Sequence, residues 1–195
     1  MPEQDPSHGW EAVADKLIRH RAHSSINVQE VRDWASRLPR GTLILDLGCG
    51  SGAPIATALA EDGFLVAGID ASPTALAEFQ RLHPTAPAAC EAAHVSDFFG
   101  QRYAGIIAIG LLFLLPVDEQ TRLLEHIGDA LLPGGRFLFT APEQVCDWDD
   151  MSTGRKSVSL GAAGYRALLQ AHGMEVVATF TDAHDNHYFD VRKSD

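Results

Sequence analysis

A glycine-rich corner follows a short apolar run in the first third of the chain. The stretch LILDLGCGSGAP covers residues 43–54. Its Gly48, Gly50 and Ala53 match the spacing G-x-G-x-x-G/A of dinucleotide-binding loops. Asp70 ends the next apolar run, where an acid that binds ribose hydroxyls is expected. The spacing therefore predicts a site for a ligand that contains a ribose.

The charges around this corner argue against a ligand that carries phosphates. Asp46 stands at the end of the apolar run and would repel a pyrophosphate at the mouth of the loop. No Lys, Arg or His occurs from Gly41 to Gln80, so nothing nearby offsets that repulsion. The corner favours a ligand with a ribose, a cationic group for Asp46 and no phosphates. S-adenosylmethionine has these features, because it combines an adenosine with an amino group and a sulfonium.

A series of motifs resembles those of the class I S-adenosylmethionine-dependent methyltransferases. In chain order they are Asp46-Leu-Gly-Cys-Gly-Ser-Gly, Gly68-Ile-Asp70-Ala-Ser72, Ser96-Asp97-Phe98, Tyr103 to Leu115 and Leu131 to Phe139. They occur in the order that the family has, so together they are more specific than any one of them. The resemblance implies an α/β fold of three layers, with a doubly wound, seven-stranded, mostly parallel sheet whose last strand is antiparallel. It also implies S-adenosylmethionine as cofactor and S-adenosylhomocysteine as product.

The resemblance assigns roles to individual residues. Asp46 would bind the ammonium group of the cofactor, Asp70 both ribose hydroxyls, and Asp97 the amino hydrogens of the adenine. The glycines would let the backbone approach the ligand where any Cβ would collide. The alternative is that the acids only cap turns and the glycines only form the corner. The complete cofactor site implied by the resemblance comprises Asp46, Gly48, Cys49, Gly50, Asp70, Ala71, Ser96, Asp97, Phe98 and Ile109.

The residue that assists methyl transfer is harder to predict. Because the sulfonium already activates the methyl group, the protein mainly aligns the acceptor, and some acceptors need no base. Many relatives have a His pair after the fourth strand, where this chain has Phe113 and Leu114. His187 is the remaining candidate for a base or a substrate contact, with a hydrogen-bonded edge histidine as the alternative. His184 and His187 would face opposite sides of a strand, so no metal site is predicted.

A long segment after the fifth strand is a candidate for the acceptor site. Residues 141–156 mix aromatic, acidic and basic side chains and are too long for a simple connection. Arg155 and Lys156 within it would suit an acidic acceptor, or else belong to a solvated surface turn.

Alternating apolar and amphipathic stretches predict the elements that position these residues. Continuous apolar runs, as in strands covered on both faces, lie at 43–47, 64–69, 105–109 and 136–140. Helical patterns lie between them at 54–61, 73–82 and 118–131, with Ser72 as the cap of the second. After a helix at 162–172, two β-rich runs at 174–181 and 187–192 are expected to form an antiparallel hairpin at the edge of the sheet.

Two N-terminal helices are expected to close over the cofactor as a lid. They are predicted near residues 10–20 and 27–38, and Asn27 with Glu30 is predicted to form a capping box at the start of the second. A Trp at helical spacing also fits a core position. The side chains there best suited to pack on a ligand are Trp10, His23 and Trp34.

The 195 residues suit a single methyltransferase domain. It would comprise a lid at 1–39, a cofactor-binding core at 40–141, and an acceptor-side loop, helix and β-hairpin at 142–195. The formal net charge of -11 argues against nucleic acid or an anionic membrane as partner. The lack of a long apolar run or a signal-like N-terminus, together with three widely spaced cysteines, predicts a cytoplasmic location with reduced thiols.

The predicted function is in-line methyl transfer from S-adenosylmethionine to a small-molecule acceptor, by a monomer or homodimer. Two alternatives stay open. A non-catalytic S-adenosylmethionine-binding or regulatory protein would have the same cofactor pocket. A nicotinamide-dependent oxidoreductase would need phosphate-binding donors that the loop does not offer.

Overall fold

A seven-stranded sheet forms the centre of the molecule, which the computed structural model describes for residues 5–195. The strands of that part of the chain are β1 (Leu43–Leu47), β2 (Leu65–Asp70), β3 (Ala88–Cys90), β4 (Tyr103–Ala108), β5 (Leu131–Thr140), β6 (Val145–Asp149), β7 (Lys156–Leu160), β8 (Met174–Thr181) and β9 (His187–Lys193). The sheet has the order β3-β2-β1-β4-β5-β9-β8. Only β9 runs against its neighbours, β5 and β8. The predicted parallel sheet with an antiparallel last strand and an edge hairpin is confirmed.

Helices cover both faces of the sheet, which explains why the central strands are apolar without alternation. The helices of the described chain are α1 (Ala14–Arg21), α2 (Val28–Ala35), α3 (Ile55–Glu61), α4 (Pro73–Leu82), α5 (Val117–Ala130) and α6 (Gly161–Ala171). Leu45 and Leu47 of β1 belong to a hydrophobic cluster with α5 and α6. Ile44 belongs to the opposite cluster, with α2, α3 and α4. The three-layer, doubly wound architecture is therefore confirmed.

None of the helices formed by residues 5–195 has both the length and the apolar composition needed to cross a membrane.

The starts of α4 and α2 show one correct and one wrong cap prediction. Ser72 accepts the backbone N–H of Ala75 at 3.1 Å, and Pro73 is the first residue of α4, as predicted. Asn27 makes no such bond, because its backbone is left-handed with φ of 70°. Its amide instead donates to the hydroxyl of Tyr188 on β9, at 2.5 Å. The capping box is therefore wrong, and Asn27 links the N-terminal helices to the sheet.

The segment predicted as a long loop contains a second, two-stranded sheet. Strands β6 and β7 pair antiparallel from Val145 opposite Leu160 to Asp149 opposite Lys156. β6 is largely exposed and the buried residues of β7 are the polar Ser157 and Ser159, so neither strand has the apolar run that reveals a buried strand. The hairpin is tied to α5, because the side-chain amide of Gln120 donates to the carbonyl oxygen of Val158 at 2.9 Å.

Residues 5–39, called the N-terminal segment below, dock on two helices of the core. Glu11 lies in a short 3-10 turn before α1 and accepts hydrogen bonds from the hydroxyls of Ser72 and Thr74, the latter at 2.6 Å. His8 contacts Glu119 in the first turn of α5, with 2.9 Å between Nε2 and Oε2. These contacts hold the segment over the carboxyl ends of the parallel strands.

Candidate cofactor and acceptor site

A cavity of about 520 Å³ opens at the carboxyl ends of the parallel strands. Ligands of open α/β sheets bind at this edge. One side of the cavity is the loop after β1, and residues of the N-terminal segment, from Pro6 to Asn27, form another. The sequence-predicted residues that line it are Asp46, Gly48, Cys49, Gly50, Asp70, Ala71 and Ile109. The structure thus brings together the predicted residues that follow β1, β2 and β4.

Asp70 shapes the glycine loop as well as the cavity. Its Oδ2 accepts the backbone N–H of Gly50 at 2.8 Å, and its Oδ1 accepts that of Ser72 at 2.8 Å. Gly50 has φ of 54°, and a Cβ there would meet nothing within 4 Å, so it would project into open space. At Gly48 a Cβ would lie 3.2 Å from the side chain of Leu111. The loop therefore leaves its backbone free to approach a ligand closely.

Asp46 places a buried acid at the bottom of the cavity. It is the fourth residue of β1, paired with Gly68 on one side and Ile107 on the other, and only 3% of its surface is exposed. Burial, and then repulsion by Asp70, raise the pKa of Asp46 to about 8, although the positive charge of Arg21 opposes this rise. A cationic ligand group here would favour the ionised form. The acid therefore fits the ammonium group of S-adenosylmethionine.

Arg21 is a site residue that the sequence reasoning missed. It ends α1, lines the cavity and is the only Arg or Lys to do so in the described chain. Burial lowers the pKa of Arg21, while the charge of Asp46 opposes that shift. The sequence held only an indirect signal for Arg21. Residues 41–80, which contain the glycine loop, have no basic side chain, so any basic residue at this loop belongs to another part of the chain.

The predicted adenine contacts do not line this cavity. Asp97 is exposed, and Phe98 is buried in the hydrophobic cluster that includes α5. The hydroxyl of Ser96 donates to Oε1 of Glu91 at 2.5 Å. The cavity is lined instead by residues 91–93, which directly follow β3. The structure therefore does not bring Ser96, Asp97 and Phe98 to this cavity, and β3, which is only three residues long, was not predicted from the sequence.

A second cavity of about 340 Å³ adjoins the first. The two share three lining residues, Phe113, Thr140 and Asn186. Thr140 is buried at the end of β5, and its hydroxyl accepts the backbone N–H of Gly110 at 2.8 Å. The remaining lining residues of the second cavity are Ala141, Pro142, Glu143, Gln144, Trp148, Thr181, Asp185 and His187. The two cavities are therefore neighbours at the carboxyl ends of the strands.

His187, the candidate base, lines this second cavity. Its Nδ1 lies 3.0 Å from the hydroxyl of Thr181. Its Nε2 is buried and has no hydrogen-bond partner among residues 5–195. The ring packs edge-on against Phe189 with 4.9 Å between centroids. His184 lines the first cavity instead, and no group of three or more potential ligands in the described chain is placed to hold a metal ion.

The other residues singled out from the sequence have diverse positions. Trp10 lines the first cavity, whereas Trp34 is buried in the core and His23 is exposed. Lys156 pairs with Asp147 and Asp149 on the β6–β7 hairpin, and Arg155 lies 4.0 Å from Asp5. Neither basic residue lines either of these two cavities, so the surface interpretation fits both.

The sheet order, the glycine loop and the two acids at the ends of β1 and β2, Asp46 and Asp70, together define a class I methyltransferase fold. A sequence profile described as a methyltransferase domain matches residues 18–179, which is most of the chain. The chain belongs to this family, the class I S-adenosylmethionine-dependent methyltransferases. It is accordingly an enzyme, with S-adenosylmethionine as cofactor and S-adenosylhomocysteine as product.

Solved structures of methyltransferases have the same fold at low sequence identity. CcbJ from Streptomyces caelestis is 19% identical with a TM-score of 0.74, over 100% of this chain and 99% of its own. A TehB-like S-adenosylmethionine-dependent methyltransferase from Corynebacterium glutamicum is 20% identical with a TM-score of 0.72, over 97% and 100%. The 1,6-didemethyltoxoflavin-N1-methyltransferase of Burkholderia thailandensis is 20% identical with a TM-score of 0.71, over 100% and 93%. No curated protein matches the sequence.

Proposed function

We propose that this methyltransferase acts on a small-molecule acceptor that binds in the second cavity. The observation that carries the proposal is that the two cavities share the lining residues Phe113, Thr140 and Asn186. A volume of about 340 Å³ suits a small molecule rather than a macromolecule. Structural neighbours with small acceptors, such as the 1,6-didemethyltoxoflavin-N1-methyltransferase and an amino pentose methyltransferase, support the same size class.

The cofactor would lie in the first cavity in one orientation. Asp46 would bind its ammonium group, and Asp70 its ribose hydroxyls. Gly48 and Gly50 would present their backbone to it. Ala71 and Ile109 would form apolar walls, and Cys49 would line the site between the two glycines. When bound, the cofactor supplies a methyl group that its sulfonium has already activated.

Two further residues complete this arrangement. Glu91 takes over the adenine role first given to Asp97, because it follows β3 and lines the cavity while Asp97 is exposed. Its carboxylate suits the amino hydrogens of the adenine. Arg21 would neutralise the carboxylate of the cofactor's methionine part, so that both charges of that part have a partner in the protein.

The N-terminal segment would serve as the lid of a single domain. Its Trp10 and Arg21 line the cavity, and Glu11 and His8 fasten it to the core. Such a cover excludes water and helps to align the acceptor with the methyl carbon for in-line transfer. The core at 40–141 and the acceptor side at 142–195 retain their predicted roles. A cytoplasmic location and a monomer or homodimer stay predictions.

His187 would contact the acceptor and receive its proton. The ring is held in place by Thr181 and Phe189, and its Nε2 has no partner in the described chain. A group positioned in this way can act as a base when the acceptor has a proton to lose.

The experiment that tests this function begins with calorimetric titration of the protein with S-adenosylhomocysteine and, separately, with NAD. Tight binding of the first alone is expected, because the loop offers no partner for a pyrophosphate. A screen of small acceptors for the mass gain of one methyl group then tests transfer. Preferential binding of NAD would contradict the cofactor assignment. Binding of S-adenosylhomocysteine without methylation of any acceptor class would favour a non-catalytic, regulatory protein.

A further inference from the structure

The second cavity has an acidic lining with no basic counterpart. Glu143 and Asp185 line it, and no Lys or Arg does so in the part of the chain that the structure describes. Lys156, on the neighbouring hairpin, is already paired with Asp147 and Asp149. Both acids are exposed, and with no basic residue beside them they favour a cationic ligand over an anionic one.

Two aromatic rings are a second feature of the cavity that favours a cationic ligand. Phe113 and Trp148 both line the cavity, with 5.5 Å between their centroids and an angle of 40° between their planes. Aromatic faces attract organic cations through the negative charge above the ring. They also provide apolar surface for the carbon skeleton of an acceptor. The rings and the acids together match a molecule that has both an apolar part and a positive charge.

His187 supplies the third feature. His187 lines this cavity, and its Nε2 is a buried nitrogen without a partner in the described chain. If Thr181 donates its hydroxyl hydrogen to Nδ1, then Nε2 carries a hydrogen and can only donate. If Nδ1 donates to Thr181, then Nε2 has a free lone pair. The second tautomer can accept a proton from an ammonium group.

We propose that the acceptor is a small amine, which binds as its ammonium form, and that the enzyme is an N-methyltransferase. This inference rests on the proposed function of the second cavity. The ammonium group first loses a proton to Nε2 of His187 or to water. The freed nitrogen lone pair forms the bond to the methyl carbon, while the electron pair of the broken carbon–sulfur bond stays on sulfur. The methylated amine leaves as a cation, and the proton on His187 passes to solvent.

The test compares two probes of opposite charge on protein saturated with S-adenosylhomocysteine. 2-Phenylethylamine is a cation at neutral pH, and 3-phenylpropanoate is an anion with the same phenylethyl group. We expect the amine to bind about tenfold more tightly by calorimetry, because two carboxylates and two rings face it. The double variant Glu143→Gln and Asp185→Asn should remove most of that preference. The matched control, Glu125→Gln with Asp129→Asn, removes two exposed charges from α5 and should leave it unchanged.

The outcomes separate this inference from the function on which it rests. If S-adenosylhomocysteine does not bind, the proposed function fails and this inference fails with it. If S-adenosylhomocysteine binds but the carboxylate probe has the same affinity as the amine probe, the amine inference alone is overturned. The same holds if the double variant keeps the full preference. Methylation of 2-phenylethylamine but not of 2-phenylethanol would support nitrogen as the acceptor atom, and the reverse would contradict it.

Discussion

Asp70 at the end of β2 accepts the backbone N–H of Gly50 at 2.8 Å and so holds the glycine loop after β1 in its open shape. The same carboxylate faces the cavity in which the ribose of the cofactor is proposed to lie. One side chain therefore both organises the loop and stands ready for the ligand. Its substitution should affect binding through both effects.

Replacing Asp70 with Ala should weaken binding of S-adenosylhomocysteine by about 1.5 to 3 kcal/mol, because charge-assisted hydrogen bonds to the ribose are lost. Calorimetric titration of the folded variant measures this loss. Asp129→Ala, which removes an exposed acid on α5, is the matched control and should bind normally. Unchanged affinity in a folded Asp70→Ala protein would refute the assignment.

Substitutions of Glu91 and of Asp97 should have different effects on adenine recognition. Glu91→Ala should lower the affinity for S-adenosylhomocysteine about tenfold, through loss of a hydrogen bond to a charged group. It should also reduce the preference for this ligand over its inosine analogue, which lacks the adenine amino group. Asp97→Ala should change neither quantity, because its side chain is exposed and outside the cavity. The reverse pattern would restore the original assignment to Asp97.

The raised pKa of Asp46 predicts pH-dependent cofactor binding. In the free protein, burial and Asp70 raise the pKa to about 8, with Arg21 opposing, so the acid is mainly protonated at neutral pH. The ammonium group of the ligand favours the carboxylate and lowers this pKa. Binding should therefore release a proton, and the affinity should increase as the pH rises from about 6 towards 8.

Calorimetry in buffers of different ionisation enthalpy measures that proton release. Asp46→Asn should abolish the release and weaken binding at every pH, because the amide carries no charge for the ammonium group. Binding that takes up protons, or an unchanged release in Asp46→Asn, would show that another group is responsible.

The hydrogen bonds of Glu11 are expected to hold the N-terminal segment closed over the cavity. Glu11→Ala removes the hydrogen bonds from Ser72 and Thr74, so the segment should open more often. Hydrogen exchange should become faster in residues 5–21, and S-adenosylhomocysteine should dissociate several-fold faster. Asp15→Ala, an exposed position on α1, is the control for a lost charge in the same segment. Equal exchange in both variants would contradict the anchoring role.

His187→Asn tests proton transfer from the acceptor. The shorter amide removes Nε2, so kcat should fall about a hundredfold, while the affinity for S-adenosylhomocysteine stays the same. Activity should recover partly at high pH, where the amine loses its proton to solvent. A merely structural role of the ring would give no such recovery. An unchanged kcat would exclude His187 as the proton acceptor.

The central fold was accessible from the sequence because its signals are local and repeated. In β1, Leu45 and Leu47 pack on one side of the sheet and Ile44 on the other, because helices cover both sides. The loop at Gly48 and Gly50 has a spacing that few other structures require. Ser72 and Pro73 mark the start of α4 by their residue types alone.

Other features depend on contacts between distant parts of the chain. Asn27 has the residue type of a helix cap, but its side chain bonds to Tyr188 on β9. Arg21 reaches the cavity only because the N-terminal segment folds over the sheet. Strand β3 is so short that spacing alone could not distinguish Glu91 from Asp97. No local pattern contains this information.

A crystal structure with S-adenosylhomocysteine tests the proposed site most directly. The amino group of the ligand should lie beside Asp46, its ribose hydroxyls on Asp70 and its adenine beside Glu91. The sulfur should point towards Phe113 and Thr140, where the second cavity begins. A ligand bound in the opposite orientation, or an adenine held by Asp97, would contradict the account.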